Sequence, residues 1–207
     1  MDIKRLKGCD KMKILIVSDT ESRYIWDHFN KERFRDIELV ISCGDLKASY
    51  LQFLVTMIGV PVYYIHGNHD ERYLNTPPLG CDCIDDAIVE YKGYRIMGLG
   101  GSPEYRGGIF QYTEKQMEKR YKKLYKKIKK LNGIDLLVTH SPAFNLGDGE
   151  DFAHIGFKTT RNILDDWKPK YHLHGHQHLN YGQKNERSIQ YNQTLIVNAH
   201  DYYILEI

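Results

Sequence analysis

The stretch His172 to His178 reads His-Leu-His-Gly-His-Gln-His and holds four of the ten histidines of a 207-residue chain. Two-residue spacing in an extended segment puts alternate rings on one side, and Gly175 separates His172 and His174 from His176 and His178. Neutral imidazole is the commonest side-chain ligand of transition ions, so the spacing points to metal chemistry. Other groups of the same kind recur upstream: Asp19 and Glu21, then Asp45, then Asn68, His69 and Asp70, then His140.

Each of these groups follows an apolar run. Lys13-Ile-Leu-Ile-Val17 has the unbroken, β-branched character of a strand buried on both faces, and it ends in Ser18-Asp19-Thr20-Glu21. Ile37 to Ser42 ends in Cys43-Gly44-Asp45, Val60 to Ile65 in His66-Gly67-Asn68-His69-Asp70, and Ile134 to Val138 in Thr139-His140-Ser141-Pro142. Open α/β sheets gather ligands where strands stop. Successive strands ending this way predict a row of polar groups at one sheet edge.

Between the strands, the pattern predicts a short helix over residues 22–30 and another over 48–58, stopped by Gly59. Ala87–Tyr91 and Tyr94–Gly98 flank Lys92-Gly93 as a hairpin, so a parallel beginning gives way to mixed pairing. Thr113 with Gln116 three residues on is a capping box, opening a helix whose apolar stripe runs from Met117 to Leu131. Residues 157–166 read as a short helix, and 170–174, 195–197 and 202–207 as strands. The glycine-rich loop 100–108 lacks the ending of a phosphate-cradling P-loop and reads as a surface or site-rim loop, in which Arg106 could meet a substrate phosphate.

Composition is that of a soluble globular protein: 42% hydrophobic, 27% charged, net charge +2. The charge is uneven, since residues 115–130 carry nine Lys/Arg against one Glu and leave the remainder acidic. The bland account of that run, lysine stems covering the rim of an apolar helix face, outweighs a nucleic-acid footprint. Cys9, Cys43, Cys81 and Cys83 form no spaced pairs and read as reduced thiols. No leader or membrane-length apolar run is present, so a cytoplasmic location with no membrane partner is expected. The length suits one domain over 1–207, with 1–12 as a short extension.

Taken in order, Asp19-x-Glu21, Gly44-Asp45, Gly67-Asn68-His69-Asp70, His140 and Gly175-His176-x-His178 resemble the calcineurin-like metallophosphoesterases. Their pattern runs Asp-x-His, Gly-Asp, Gly-Asn-His-Asp/Glu, a lone His after a strand, and Gly-His-x-His. Thr139-His140-Ser141-Pro142 and the loop through Gly147-Asp148 are most similar to the small stand-alone members. The resemblance implies an α/β fold, a two-sheet αββα sandwich, and hydrolysis of a phosphomonoester or phosphodiester of a small substrate by metal-activated water. By the same resemblance one metal takes Asp19, Glu21, Asp45 and His178, and the other takes Asp45, Asn68, His140 and His176. Asp45 bridges the two, and His69 contacts the phosphate and protonates the leaving oxygen.

Oxygen and nitrogen ligands without thiolate favour two divalent ions such as manganese, with iron, zinc or magnesium as alternatives. Glu21 departs from the pattern, which has histidine there. If it binds, the first site is harder; if not, one tight metal serves. Of the remaining histidines, His154 lies in a loop that can reach substrate. His28, His66 and His200, with His172 and His174, read as packing or solvent residues.

Two other functions compete. A catalytically silent scaffold of the same fold tends to lose the acid, whereas His69 and the second-metal ligands are all present here. A nuclease working through helix 115–130 needs a capping domain for which the chain has no room, so nucleic acid is not the expected partner. A homo-oligomer is compatible with the sequence.

Overall fold

The computed structural model describes residues 11–179 and 186–207, so Cys9 and most of the expected N-terminal extension lie outside the described residues. The chain begins β1 (Lys13–Ser18), α1 (Arg23–Trp26), α2 (Lys31–Phe34), β2 (Ile37–Ser42), α3 (Ala48–Ile58), β3 (Val62–Tyr64) and β4 (Asp82–Cys83). It continues with β5 (Ala87–Tyr91), β6 (Tyr94–Leu99), the short β7 (Ser102–Pro103) and β8 (Gln111–Tyr112), α4 (Glu114–Lys130) and β9 (Leu136–Thr139). The last elements are α5 (Lys158–Trp167), β10 (Tyr171–His174), β11 (Ser188–Tyr191), β12 (Thr194–Asn198) and β13 (Asp201–Glu206).

Two sheets make the frame. The first has the order β13-β1-β2-β3-β4 and the second β11-β12-β10-β9-β6-β5. The inner strands β1, β2 and β3 pair in parallel, as do β6, β9, β10 and β12. Antiparallel β13 flanks the first sheet, while β5 and β11 flank the second. The parallel beginning and the mixed continuation therefore belong to separate sheets.

Strand periodicity explains why both faces of β1 are apolar. Ile14 and Ile16 point into the layer between the sheets, with Leu39, Ile41, Leu136, Val138, Leu173 and Val197. Leu15 and Val17 point outward beneath α3, against Tyr50, Leu51 and Leu54. On the far side, α4 and α5 cover the second sheet through Met117, Tyr121, Leu124, Ile128, Ile163 and Leu164. This is the four-layer αββα sandwich. Cutting an isoleucine or leucine to alanine in such a layer costs about 2–5 kcal/mol.

The expected capping box at Thr113 and Gln116 is present, and Gly59 ends α3 in the left-handed conformation at φ 76°. Not all of the basic run faces solvent: Arg120 is buried, pairing with Asp85 at 2.7 Å and Asp86 at 2.8 Å. Lys127 donates to the Ile88 carbonyl at 2.9 Å. The helix expected over 22–30 is cut to α1, ending at Trp26, and a second short helix, α2, follows beyond that span at Lys31–Phe34. The chain leaves α1 at Asp27, and the Asn30 side chain accepts from Glu32 N at 3.0 Å to start α2. The edge strand β11 is an addition to the expected elements, and it turns into β12 through Asn192 at φ 50°.

Candidate metal centre

Loops at the ends of β1, β2, β3, β9 and β10 converge where the two sheets meet. Three of the residues involved, Asp19 (φ 63°), Asp45 (φ 58°) and His176 (φ 66°), hold left-handed backbone without being glycine. Such conformations cost on the order of 1–3 kcal/mol each and persist where surrounding structure enforces them. The glycines beside them are required by close approach. A Cβ on Gly175 would collide with the Ser18 hydroxyl, and one on Gly67 with the Asp45 carboxylate.

The hydrogen bonds assign each imidazole its free nitrogen. His140 Nδ1 donates to the Cys43 carbonyl at 2.7 Å, leaving Nε2 for the site. His176 Nε2 donates to the Ala153 carbonyl at 2.7 Å, leaving Nδ1. Those two remaining nitrogens lie 3.2 Å apart. Outer hydrogen bonds of this kind are what fix tautomer and ring angle in metal-binding histidines.

Oxygen donors close on the same point. Asn68 Oδ1 lies 2.9 Å from His140 Nε2, and its amide nitrogen donates to the Tyr105 hydroxyl at 3.1 Å. Asp45 Oδ2 is 3.3 Å from the same nitrogen, while Oδ1 accepts from His69 N at 2.7 Å. Asp45, His140 and His176 offer ligand atoms all within 4.8 Å of one another. The Asp70 carboxylate braces the floor, accepting from Asp45 N at 2.8 Å and Gly67 N at 2.7 Å.

Electrostatics follow from crowding. Burial works to raise the Asp45 carboxyl, but His140 and the His69 N–H outweigh it and bring it to about 2. Burial likewise works to lower His140, and the Asp45 and Asp19 carboxylates with the Cys43 carbonyl lift it to about 9. Burial and neighbouring His140 press His176 down to about 3. Burial together with the Asp45 charge raises Asp70 to about 6. A donor set of carboxylate, amide oxygen and two oriented imidazoles fits a divalent ion of the manganese, iron or zinc type.

The other candidate ligands stand further apart. Asp19, its side chain 2% exposed, accepts from His176 N through Oδ2 at 2.9 Å, while its Oδ1 is 4.0 Å from His178 Nε2. His178 is exposed. Glu21 is engaged by Lys47: Oε1 accepts from Lys47 N at 3.0 Å and Oε2 lies 3.3 Å from Lys47 Nζ. His69 is exposed and lines both a 380 Å³ cavity over the cluster and an adjoining 670 Å³ cleft. Arg106 and His154 also line the smaller cavity, with His154 Nδ1 held 2.7 Å from Asp151 Oδ2.

Three histidines outside the motifs have defined partners. His66 Nδ1 is 3.0 Å from Asp85 Oδ2, and its ring stacks on Phe110 at 4.2 Å. His172 Nε2 is 2.8 Å from the Thr139 hydroxyl, a packing role as expected. The His200 ring lies 4.9 Å from that of His178, at the site rather than away from it. Tyr105 and the carbonyls of Cys43 and Ala153 had no sequence signal, since backbone acceptors and long-range partners carry no residue code.

Oxygen donors from one sheet and nitrogen donors from the other meet at the strand ends of an αββα sandwich, in a cluster able to hold a metal ion. Residues 12–199 match the calcineurin-like phosphoesterase superfamily domain, and the chain belongs to that superfamily. Among solved structures, TT1561 of Thermus thermophilus has 15% identity and a TM-score of 0.64, covering 95% of this chain and 94% of its own. The 5'-nucleotidase from Candida albicans SC5314 has 11% identity and a TM-score of 0.55, covering 91% of this chain and 45% of its own. These likenesses show the fold. Among curated proteins, no sequence matches the chain. No helix among the described residues is long and apolar enough to cross a membrane.

Proposed function

We propose that the protein is a metal-dependent phosphohydrolase acting on a small phosphomonoester or phosphodiester, with two divalent ions, manganese foremost, as cofactor. The observation that carries this is the preset pair His140 Nε2 and His176 Nδ1, facing each other with Asn68 Oδ1 and Asp45 Oδ2. A silent scaffold has no need of tautomers fixed by two separate carbonyls. In this reading Asp45 would serve both ions, Asn68, His140 and His176 would hold the second, and Asp19 and His178 would contribute to the first. Bound divalent ions supply charge neutralisation at phosphorus and a water of lowered pKa.

The rest falls to the chain's own groups. The Asp45 bond to His69 N sets the loop that presents the His69 ring at the mouth of the cavity, where it donates a proton to the departing ester oxygen. Arg106, on the same cavity wall, receives the phosphate oxygens. The 670 Å³ cleft that shares Asp45 and His69 is where the alcohol part of the ester lies.

The test is hydrolysis of p-nitrophenyl phosphate and bis(p-nitrophenyl) phosphate by chelated protein reloaded with manganese, iron, zinc or magnesium. Metal-restored turnover is expected, lowered about 10²–10⁴-fold in His69→Ala with metal content retained. Absence of metal-restored turnover on every ester would sink the proposal and leave the scaffold.

A further inference from the structure

We propose that His200 supplies the imidazole that the first ion position lacks at Glu21, making that position Asp19, Asp45, His178 and His200. The inference rests on the phosphohydrolase reading above and names a ligand outside its motifs. Glu21 is held by both the backbone and the side-chain nitrogen of Lys47 at the start of α3, with both its oxygens occupied there. An imidazole facing Asp19 and His178 would fill the position without drawing Glu21 from Lys47.

His200 is delivered there by the turn between β12 and β13. The backbone of His200 bridges to Ser18, placing it beside the end of β1 that carries Asp19. Asn198 ties the turn to the histidine loop: its side chain accepts from His200 N at 2.8 Å and donates to the Gln177 carbonyl at 2.8 Å. Arg187 closes the turn from outside by donating to the Asn198 and His200 carbonyls at 3.0 and 3.1 Å. The result is two imidazoles side by side, 4.9 Å between centroids and 32° between planes, next to one carboxylate. His200 Nε2 meets the Thr20 hydroxyl at 3.3 Å, which marks the edge of the ring that faces the Asp19 loop.

The next residue repeats the backbone signature of the site. Asp201, which closes the turn between β12 and β13, has φ 65°, alongside Asp19, Asp45 and His176. Chemically, imidazole in place of carboxylate keeps the position one negative charge lower and favours manganese, iron, cobalt or zinc over magnesium.

The experiment is metal stoichiometry on chelated protein dialysed against cobalt(II) and desalted, read by elemental analysis and by visible absorption of the bound cobalt. Wild type and Glu21→Gln should hold two ions per chain. His200→Ala and His200→Gln should hold one, with loss of the absorption belonging to the first position and with melting temperatures confirming the fold. His200→Asp, which restores a ligand, should regain the second ion. Two ions in both His200 variants, or one in Glu21→Gln, would overturn the assignment while leaving the phosphohydrolase reading in place. No ion in wild type would overturn both.

Discussion

One half of the site is closed and the other open. Asn68, His140 and His176 are buried, and every donor they present is oriented by a partner behind it: Tyr105, the Cys43 carbonyl, the Ala153 carbonyl. Asp19 is equally sheltered, but the groups facing it are not, with the His178 side chain 56% exposed and Glu21 committed to Lys47. Two sets of ligands that look equivalent as motifs thus differ in preorganisation. A donor already held in place loses little conformational freedom on binding, whereas a mobile one must be ordered at that moment. In the two-ion reading proposed above, the closed half would be the tight position and the open half the exchangeable one.

The largest break in this comparison is the group common to both halves. Asp45→Asn should remove both ions together and lower turnover about 10³-fold or more, the several kcal/mol that metal charge supplies. Elemental analysis that finds one ion retained at full occupancy would show that Asp45 does not join the halves.

Next in size is a direct contrast. His140→Ala should abolish binding of the tighter ion, while His178→Ala should weaken only the looser one, by about 10–100-fold in dissociation constant as titrated calorimetrically. Equal losses in the two variants would erase the distinction between the halves.

A third prediction uses pH on metal-free protein. His140 rises from about 6.5 when unfolded to about 9 when folded, despite burial, because Asp45 and Asp19 hold its proton. A raised folded value contributes stability that is complete below about pH 6.5 and is lost as pH climbs through about 9. Urea unfolding of chelated protein should therefore show a decline on the order of 3 kcal/mol across that window. His140→Gln should flatten the curve and His178→Gln should not; a decline that survives in His140→Gln places its source elsewhere.

The smallest effect is expected at Glu21→Gln. With the carboxylate spent on Lys47, turnover should stay within about twofold, since an exposed ion pair of this kind contributes about 1 kcal/mol or less. A loss beyond about tenfold, or about 1.4 kcal/mol, would return Glu21 to the ion.

Much of this was legible in the chain. The strands that position the site are buried on both faces, so their unbroken apolar runs and the polar residues that end them stand out without coordinates. The capping box at Thr113 and the hairpin at Lys92-Gly93 carry their own local chemistry, and both formed. What stayed hidden depends on distance in sequence. His200 has no motif, and it meets His178, 22 residues upstream, only because β12 lies beside β10. The separate start of α2 after α1 turns on one asparagine side chain, which a pattern of apolar spacing does not register. Glu21 sits at the right motif position, yet Lys47 claims it because α3 begins beside it.

The candidate oxygen ligands all follow strands of one sheet, β1, β2 and β3, while the proposed imidazole ligands follow β9, β10 and β12 of the other. An ion shared between them would therefore be a staple across the sandwich. Its affinity reports the spacing of the two sheets, and a slippage of the inner layer by a fraction of an ångström separates the two kinds of donor. Loosening mutations at Ile16 or Val138, deep in that layer, should release metal well before they unfold the chain. Metal retention thus becomes a gauge of how well two stacks of strands stay in register.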